Sequence, residues 1–589
     1  MTNDSPGRRR PRAGRRWLGW LPLAVLAVAA ASFLTLGLAE AWSDSPTFDE
    51  PVYVAAGVAA AVHHDLTLND EHPPLPKVLA ALPVLLAHPV IPDNGRWTAN
   101  DERKYSARFV RAQLAAGTLR RVTFASRLVP LAESVGVAFA VFALGGELLG
   151  GERLGSAAGA FGGLVWLASP FVLGIGHLDG TDIPFALAVV LAAWALARWL
   201  RLRSTRALGW LGLALAGAAL TEISGLLIVA AGLTVVAGMS LRDTASPPGT
   251  GNLRDTGSWR AGVRRAVART GLAALIALVA LWIPYAVLDP AVLAHPAAVL
   301  PQPYLDGIGY LWRHDRIPGP GYLAGVSYTG GRWWFWPVSL VIKLPAAALL
   351  LLVAGVVAWW RADQGARRRA LLAVAFPAIL LTGFTVTMPR DIGLRYLLPV
   401  LALCAAASGA LVPAVAAARP AARRAAGVAV AGVLAVAAAM TAASFPVSLA
   451  WTAAPLRPGY AVATNSDVDW GQGLYALRAW SAGRHPWVSY FGPRGVMANP
   501  VPGGRPLLGT PPSQVSGWVA VSATNLTSAE ASRLAWIRGY CPVRVLNGSI
   551  LIYRFRRPPA PDPVAGRPPP PCAGQWSSAT GHAEPGLPG

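Results

Sequence analysis

The sequence predicts a polytopic α-helical membrane protein of about eleven membrane-spanning helices, carrying a small carboxyl-terminal α/β domain on the outer side. Three observations carry that prediction. The chain of 589 residues is 54% hydrophobic and only 14% charged, a balance typical of membrane-embedded chains. Its apolar residues gather into runs of roughly 17–25, the length that crosses a hydrocarbon core. Between these runs the arginines crowd into short segments: Arg8 to Arg16, Arg198 to Arg206, Arg254 to Arg269, Arg361 to Arg369 and Arg419 to Arg424. That is the positive-inside pattern, with anionic lipid headgroups as the natural partner. The net charge of +22 is therefore assigned to membrane topology. Nucleic acid is excluded as a partner, since no basic-aromatic module accompanies the charge. Lysine occurs only at 77, 104 and 343 while arginine, alanine, glycine and proline abound. The bias points to a GC-rich bacterial genome and hence to a bacterial plasma membrane.

Residues 1–16 form a basic cytoplasmic leader. The apolar run from about Trp17 to Ala39 looks like a signal peptide, but it is too long for a simple h-region. No convincing Ala-x-Ala-type site sits before the Asp49 cluster, so it reads as an uncleaved first span. Further spans are expected near 125–149, 155–176, 181–200, 207–220, 222–240, 270–288, 337–360, 370–388, 394–415 and 426–449. Residues 17–449 then make the transmembrane domain, with Thr221 and Glu222 forming a tight turn between two short helices. Counted from a cytoplasmic amino terminus, every arginine-rich short loop falls inside. The outer side receives the loops 40–124 and 289–336, the turn from His177 to Asp182, and everything after 450. The first outer loop also carries Arg103, Lys104, Arg108, Arg111, Arg120 and Arg121. Long loops escape the charge rule, and the helical spacing of these residues predicts an amphipathic helix lying on the membrane surface.

Beyond 450 the apolar runs shorten and proline and glycine rise. Residues 487–491, 517–522 and 549–555 read as strands, and 474–482 and 529–539 as helices. Together they predict an extracytoplasmic α/β domain over 450–556. The proline-rich end, 557–589, reads as disordered. Cys404 reads as a small packing residue, whereas Cys541 and Cys572 fall where a disulfide is permitted. No cysteine spacing matches a metal site.

The chemistry-bearing residues cluster on the outer side. Asp49 and Glu50 follow the first span, and desolvating carboxylates close to hydrocarbon is costly enough to require a reason. Helix capping supplies one, with Pro51 in the first turn; proton abstraction by Asp49 as a general base supplies another. His72 stands between Glu71 and Pro73-Pro74, where a proline turn is the plainer reading. His177, Asp179 and Asp182 share one short turn, and Asp182 is also placed to cap the next helix. Arg390, Asp391, Arg395 and Tyr396 lie between two spans. Lys343, about two turns into another helix, calls for an anionic partner unless it snorkels to headgroups. Arginine and lysine together suit a phosphate clamp. Trp333, Trp334, Phe335 and Trp336 read as an interfacial belt, and Asn465, Asp467, Asp469, Trp470, Gly471 and Gln472 open the tail domain.

In order along the chain, these motifs resemble the polyprenyl-phosphate-dependent membrane glycosyltransferases of the GT-C fold. The likeness is to the protein O-mannosyltransferase and aminoarabinose-transferase-like group, glycosyltransferase family 39-like. The carrying residues are Phe48-Asp49-Glu50, Glu71-His72-Pro73-Pro74-Leu75 with Lys77, His177 with Thr181-Asp182-Ile183-Pro184, Lys343-Leu344-Pro345, Arg395-Tyr396-Leu397-Leu398-Pro399 and Asp469-Trp470-Gly471-Gln472. They cover most of the chain up to about 555. The resemblance implies a catalytic aspartate at Asp49 with Glu50 beside it, a second acidic position at Asp182, and His72 near the active site. It also implies that Arg395 and Lys343 face the lipid phosphate. The chain departs from the larger mannosyltransferases in size and in carrying its exported domain at the carboxyl end, so the acceptor class does not transfer.

The reaction so implied moves a mannose-like or pentose sugar from a polyprenyl-phosphate donor to an acceptor hydroxyl on protein, lipid or glycan, with inversion. Asp49 would take the acceptor proton. Arg395, Lys343 and Arg390 would stabilise the departing phosphate, while His72 and Asp182 position hydroxyls. Glu71, His177, Asp179, Tyr396, Asp469, Trp470 and Gln472 complete the candidate substrate-binding set. Nothing in the set requires a metal or other cofactor; for a divalent ion the candidate ligands are Glu71, His72 and His177. Two other classes stay open. One is a transporter or flippase of lipid-linked sugars or envelope precursors, against which the one-sided placement of the acids speaks. The other is an assembly or sensory protein whose tail binds cell-wall glycans.

Overall fold

A computed structural model describes residues 20–92, 98, 101–149, 152–243, 256–294, 299–314, 316–453 and 458–559. Among them, eight helices are long and apolar enough to cross a membrane, or ten if each of two bent pairs is one span. This is a multi-pass membrane protein. The run expected near 207–220 is a 17-residue helix, Thr205–Thr221. At 1.5 Å per residue it is about 26 Å long, short of a core of roughly 30 Å.

Both bent pairs have a covalent cause. Proline offers no N–H to the preceding turn and disfavours helical backbone in the residue before it. The helix ending at Leu167 thus restarts at Pro170, bent by 71°, with Ser169 Oγ accepting from the N–H of Val172 as a new amino-terminal cap. Phe335–Lys343 ends in extended Leu344 and resumes after Pro345, bent by 120°. The continuous helix expected over 337–360 is broken there, and Lys343 stands at the break.

The first outer loop is not a loop but a helical layer: Glu50–His63, Pro74–Leu86 and Glu102–Ala115. Val54, Val58, Ala81, Val84, Tyr105 and Phe109 form its core. Gly57 permits the close approach of the first two helices, since a Cβ there would stand 2.1 Å from the carbonyl oxygen of Lys77. Glu102–Ala115 is the amphipathic helix expected from the arginine spacing. Its apolar side, however, packs on protein: Val110, with Leu119 at the start of the following helix, joins Leu474, Leu477, Val488, Ile550 and Ile552 of the tail domain in one cluster.

That tail domain holds a mixed five-stranded sheet in the order β4-β3-β5-β7-β6, where β3 is Trp487–Ser489, β4 Arg505–Pro506, β5 Gly517–Ser522, β6 Arg544–Leu546 and β7 Ile550–Phe555. The strand period of two divides its core. Ala520, Ile550 and Ile552 face the helices, packing with Val110, Leu119 and Leu474, while Val519, Val521, Leu551 and Tyr553 face a second cluster with Trp536 and Leu507. Leu474–Ser481 is helical as expected; 529–539 yields only short 3-10 turns. A hairpin of β1, Pro320–Leu323, and β2, Val326–Thr329, interrupts the segment 289–336 where no strand was expected. Cys541 is disulfide-bonded and Cys404 is free. Cys572 and most of the proline-rich end lie outside the described residues.

Candidate active site

Asp49 and Glu50 are neighbours with opposite situations. Glu50, the first residue of its helix, is buried, and each carboxylate oxygen has two donors. Oε1 accepts from Arg127 Nε at 2.7 Å and from the Asp179 N–H at 2.8 Å; Oε2 accepts from Arg127 Nη2 and the Thr47 N–H, both at 2.7 Å. Burial pushes its pKa up, but Arg127 and the two N–H groups outweigh burial and hold it below the usual range. Arg127 also donates to the carbonyls of Ala41, Asp44 and Ser45, fastening the loop that carries Asp49. Glu50 is thus committed to architecture.

Asp49 precedes the helix but its side chain makes no capping bond. It is 21% exposed and lies 3.6 Å from Arg395 Nη2. Arg395 in turn reaches Asp182 through Nη1 at 3.1 Å and stacks over Trp470 at 4.4 Å and Tyr396 at 5.1 Å. Its Nε is buried with no hydrogen-bond partner among the described residues. The backbone before it is pinned: the Leu394 N–H donates to Asp467 Oδ1 and Ser466 Oγ to the Ile392 carbonyl. Gly393 lets these segments touch, because a Cβ would stand 2.0 Å from Ser466 Oγ.

A second string of groups continues from Asp182. Thr181 Oγ1 donates to Glu222, Glu222 lies 3.6 Å from His72 Nδ1, and Glu71 lies 3.8 Å from His72 Nε2. The Tyr53 ring meets His72 edge-on at 5.3 Å. Burial lowers the His72 pKa, but Glu222 and then Glu71 outweigh it, raising the value to about 9. Burial raises Glu71 to about 7 against the pull of His72. Glu222 is also pushed up by burial, yet His72 carries it below the usual carboxylate range. Lys77 is buried behind this string, donating to the Asn69 carbonyl at 2.5 Å.

The remaining candidates lie elsewhere. His177 stands against Asp44 at 3.2 Å and Glu40 at 3.3 Å, and Asp179 is buried near Glu50 with its pKa raised chiefly by burial. Lys343 donates to three carbonyls, of Leu449, Trp451 and Asp467, at 2.5 to 2.8 Å; it fastens the tail to the broken span. Arg390 donates to the Ile317 carbonyl and approaches His314. Asp469 Oδ2 accepts from the Thr524 N–H, and Gln472 braces the turn around Trp470. That turn backs the Asp49 loop directly: the Phe48 N–H donates to the Trp470 carbonyl at 2.8 Å and the Ser45 N–H to the Gln472 carbonyl at 3.0 Å. Among the described residues no three His, Cys, Asp or Glu side chains are grouped to hold a metal ion; His177 is apart from Glu71 and His72.

Two members of this site went unread in the sequence, Arg127 and Glu222. A lone arginine deep in an apolar helix demands an anion as much as Lys343 does. Glu222, in a short turn between apolar helices, carries the same signal as Asp182.

The fold and site define a multi-pass membrane protein with an acid–arginine–acid cluster where its helices meet a mixed-sheet domain. No protein-family model and no curated protein sequence matches the chain. Among solved structures it is similar to ArnT from Cupriavidus metallidurans bound to undecaprenyl phosphate, at 13% identity and a TM-score of 0.46, over 90% of this chain and 97% of that one. It is also similar to the archaeal oligosaccharyltransferase AglB from Archaeoglobus fulgidus, in complex with an inhibitory peptide and a dolichol-phosphate. There the identity is 11% and the TM-score 0.45, over 88% of this chain and 72% of that one. The Pmt1-Pmt2 protein O-mannosyltransferase complex of S. cerevisiae, bound to the sugar donor, matches at 18% identity and a TM-score of 0.28, over 45% and 34%. The functional reading is carried by the residues of the site.

Proposed function

We propose that this chain is an integral-membrane glycosyltransferase that moves a sugar from a polyprenyl-phosphate donor to an acceptor hydroxyl, with inversion, at the outward-facing end of its helices. The observation that carries the reading is the pairing of Asp49, the least buried carboxylate of the cluster, with Arg395, whose Nε has no partner among the described residues. A general base must be reachable by substrate, and a cation that balances a leaving phosphate gains most where water is excluded. Asp49 takes the acceptor proton as that oxygen attacks the anomeric carbon. The anomeric C–O bond breaks, and polyprenyl phosphate departs with the electron pair toward the Arg395 guanidinium. Asp182 and Trp470 hold that guanidinium in place, and His72, kept cationic between Glu222 and Glu71, orients hydroxyls at the rim.

The test is transfer of radiolabel from polyprenyl-phosphate sugars to membrane fractions by the purified protein. Asp49→Asn is expected to reduce transfer by about 10²–10⁴ while donor binding persists. Full turnover by the variant, or no transfer from any donor by the parent protein, overturns the reading; altered sugar flux without transfer points to a transporter.

A further inference from the structure

A cleft of about 630 Å³ opens away from the Asp49 cluster, between the end of the last membrane-spanning helix, Pro420–Ser444, and the sheet domain. Its volume is in the range of small-molecule sites. One wall is membrane-side and apolar, with Ala443, Val447 and Ala450; the other is aromatic and aliphatic, with Trp480 and Leu546. Two guanidiniums line it, Arg484 and Arg544, and among the described residues no acidic side chain does. Arg484 donates through Nη1 to the carbonyls of Trp480 and, at 3.5 Å, Ala482 with its guanidinium over the Trp480 ring, and Arg544 makes no side-chain hydrogen bond or ion pair among the described residues.

Position decides what suits this chemistry. Pro420–Ser444 is the least enclosed of the spanning helices, with 11% of its apolar window buried within the protein. The cleft begins at the end of that helix, at Ala443 and Ser444, and continues to the two arginines. An apolar cleft at the end of a spanning helix, lined by two cations, fits an amphiphile with an anionic head. We infer that this cleft is a binding site for one anionic membrane phospholipid, with its tail against Val447, Ala450 and Trp480 and its headgroup phosphate between Arg484 and Arg544. Bound there, the lipid seals the seam between helices and sheet domain. Asn547, on the cleft wall, donates to Asp44 Oδ1 at 3.1 Å, so the site adjoins the loop that leads to Asp49. The inference does not depend on the proposed reaction.

The test is native mass spectrometry of the full-length protein released from detergent, with phosphatidylglycerol, phosphatidylcholine, diacylglycerol or undecaprenyl phosphate added. One phosphatidylglycerol should be retained with affinity at least about tenfold above the other three, because only it joins net negative charge to the doubled guanidinium site within a phospholipid frame. Arg484→Gln with Arg544→Gln should abolish that preference, and so should Ala479→Trp, which fills the cleft and keeps both arginines. Arg505→Gln, on a strand outside the cleft, should not. Equal retention of phosphatidylcholine or diacylglycerol, preference for undecaprenyl phosphate, or unchanged binding by both cleft variants overturns the assignment.

Discussion

Arg127 and Glu147 belong to one helix, Leu119–Leu149, about 30 Å apart along its axis at 1.5 Å per residue, and they live in different electrostatic worlds. At the Arg127 end both partners of the ion pair with Glu50 are essentially unexposed, at 0% and 1%. At the far end Glu147 meets Arg198 and Arg201, whose side chains are 37% and 42% exposed. The first pair spans 77 residues of sequence and fixes a loop; the second ties neighbouring helices where arginines reach outward to headgroups. The contrast teaches that charge in this chain is sorted by burial. A pair buried on both sides holds a loop in place, whereas a buried carboxylate met by half-exposed arginines ties helices at the other end.

The comparison breaks most visibly at Arg127. Arg127→Gln leaves the Glu50 carboxylate buried without a counter-ion and strips donors from three carbonyls. Such a loss costs about 3–5 kcal/mol, so little folded protein should accumulate, and what does should melt well below the parent in detergent. A melting curve that does not move would show that Glu50 finds solvent or another partner.

Arg395 sharpens the contrast, because it is buried like Arg127 yet its Nε has no partner among the described residues and an accessible carboxylate stands beside it. Arg395→Gln should lower transfer by about 10²–10³, the cost of losing one donor to developing charge, and should destabilise by exposing the buried Asp182 to no counter-ion. Adding Asp182→Asn should recover the stability and not the turnover. Recovery of both would reduce Arg395 to a structural ion.

These differences explain what was legible beforehand. Apolar helices, the amphipathic helix at 102–115 and three of the strands follow from periodicities of 3.6 and 2 that the sequence displays openly. Asp49, Asp182, His72 and Arg395 were legible as isolated anomalies, polar groups at apolar boundaries. Their division of labour was not, because it depends on long-range partners: Glu50 is tied to Arg127, and Lys343 to carbonyls more than a hundred residues away. Nothing local tells Asp49 from Glu50. The hairpin over 320–329 was hidden too, since two four-residue strands lack a run long enough to read.

The string around His72 tests the same sorting by pH. Its folded pKa, about 9, exceeds the ordinary 6.5, so the folded state holds the proton more tightly. The resulting stability is complete below pH 6.5 and is lost as pH rises through about 9. Glu71, raised from 4.5 to about 7, acts with the same sign in a lower window. Unfolding curves taken from pH 5 to 10 should therefore decline in two stages, with His72→Gln flattening the upper and Glu71→Gln the lower. A profile identical in all three proteins would mean that the string carries no net proton linkage.

The smallest effect belongs to the Arg198–Glu147 pair, and it is the sharpest check on the contrast. A pair whose arginine is more than a third exposed, though its carboxylate is buried, gains little Coulomb energy in water and spends side-chain entropy, so a double-mutant cycle of Arg198→Gln and Glu147→Gln should give a coupling of about 1 kcal/mol or less. Because Arg201 still holds the other oxygen of Glu147 at 2.7 Å, Arg198→Gln leaves no orphaned buried charge, unlike the corresponding change at Arg127. The coupling should also shrink as salt rises from 0.1 to 1 M, where the screening length falls from about 10 Å to about 3 Å. A coupling above about 2 kcal/mol that ignores salt would place this end of the helix in a dry interior, and the two ends would no longer differ in kind.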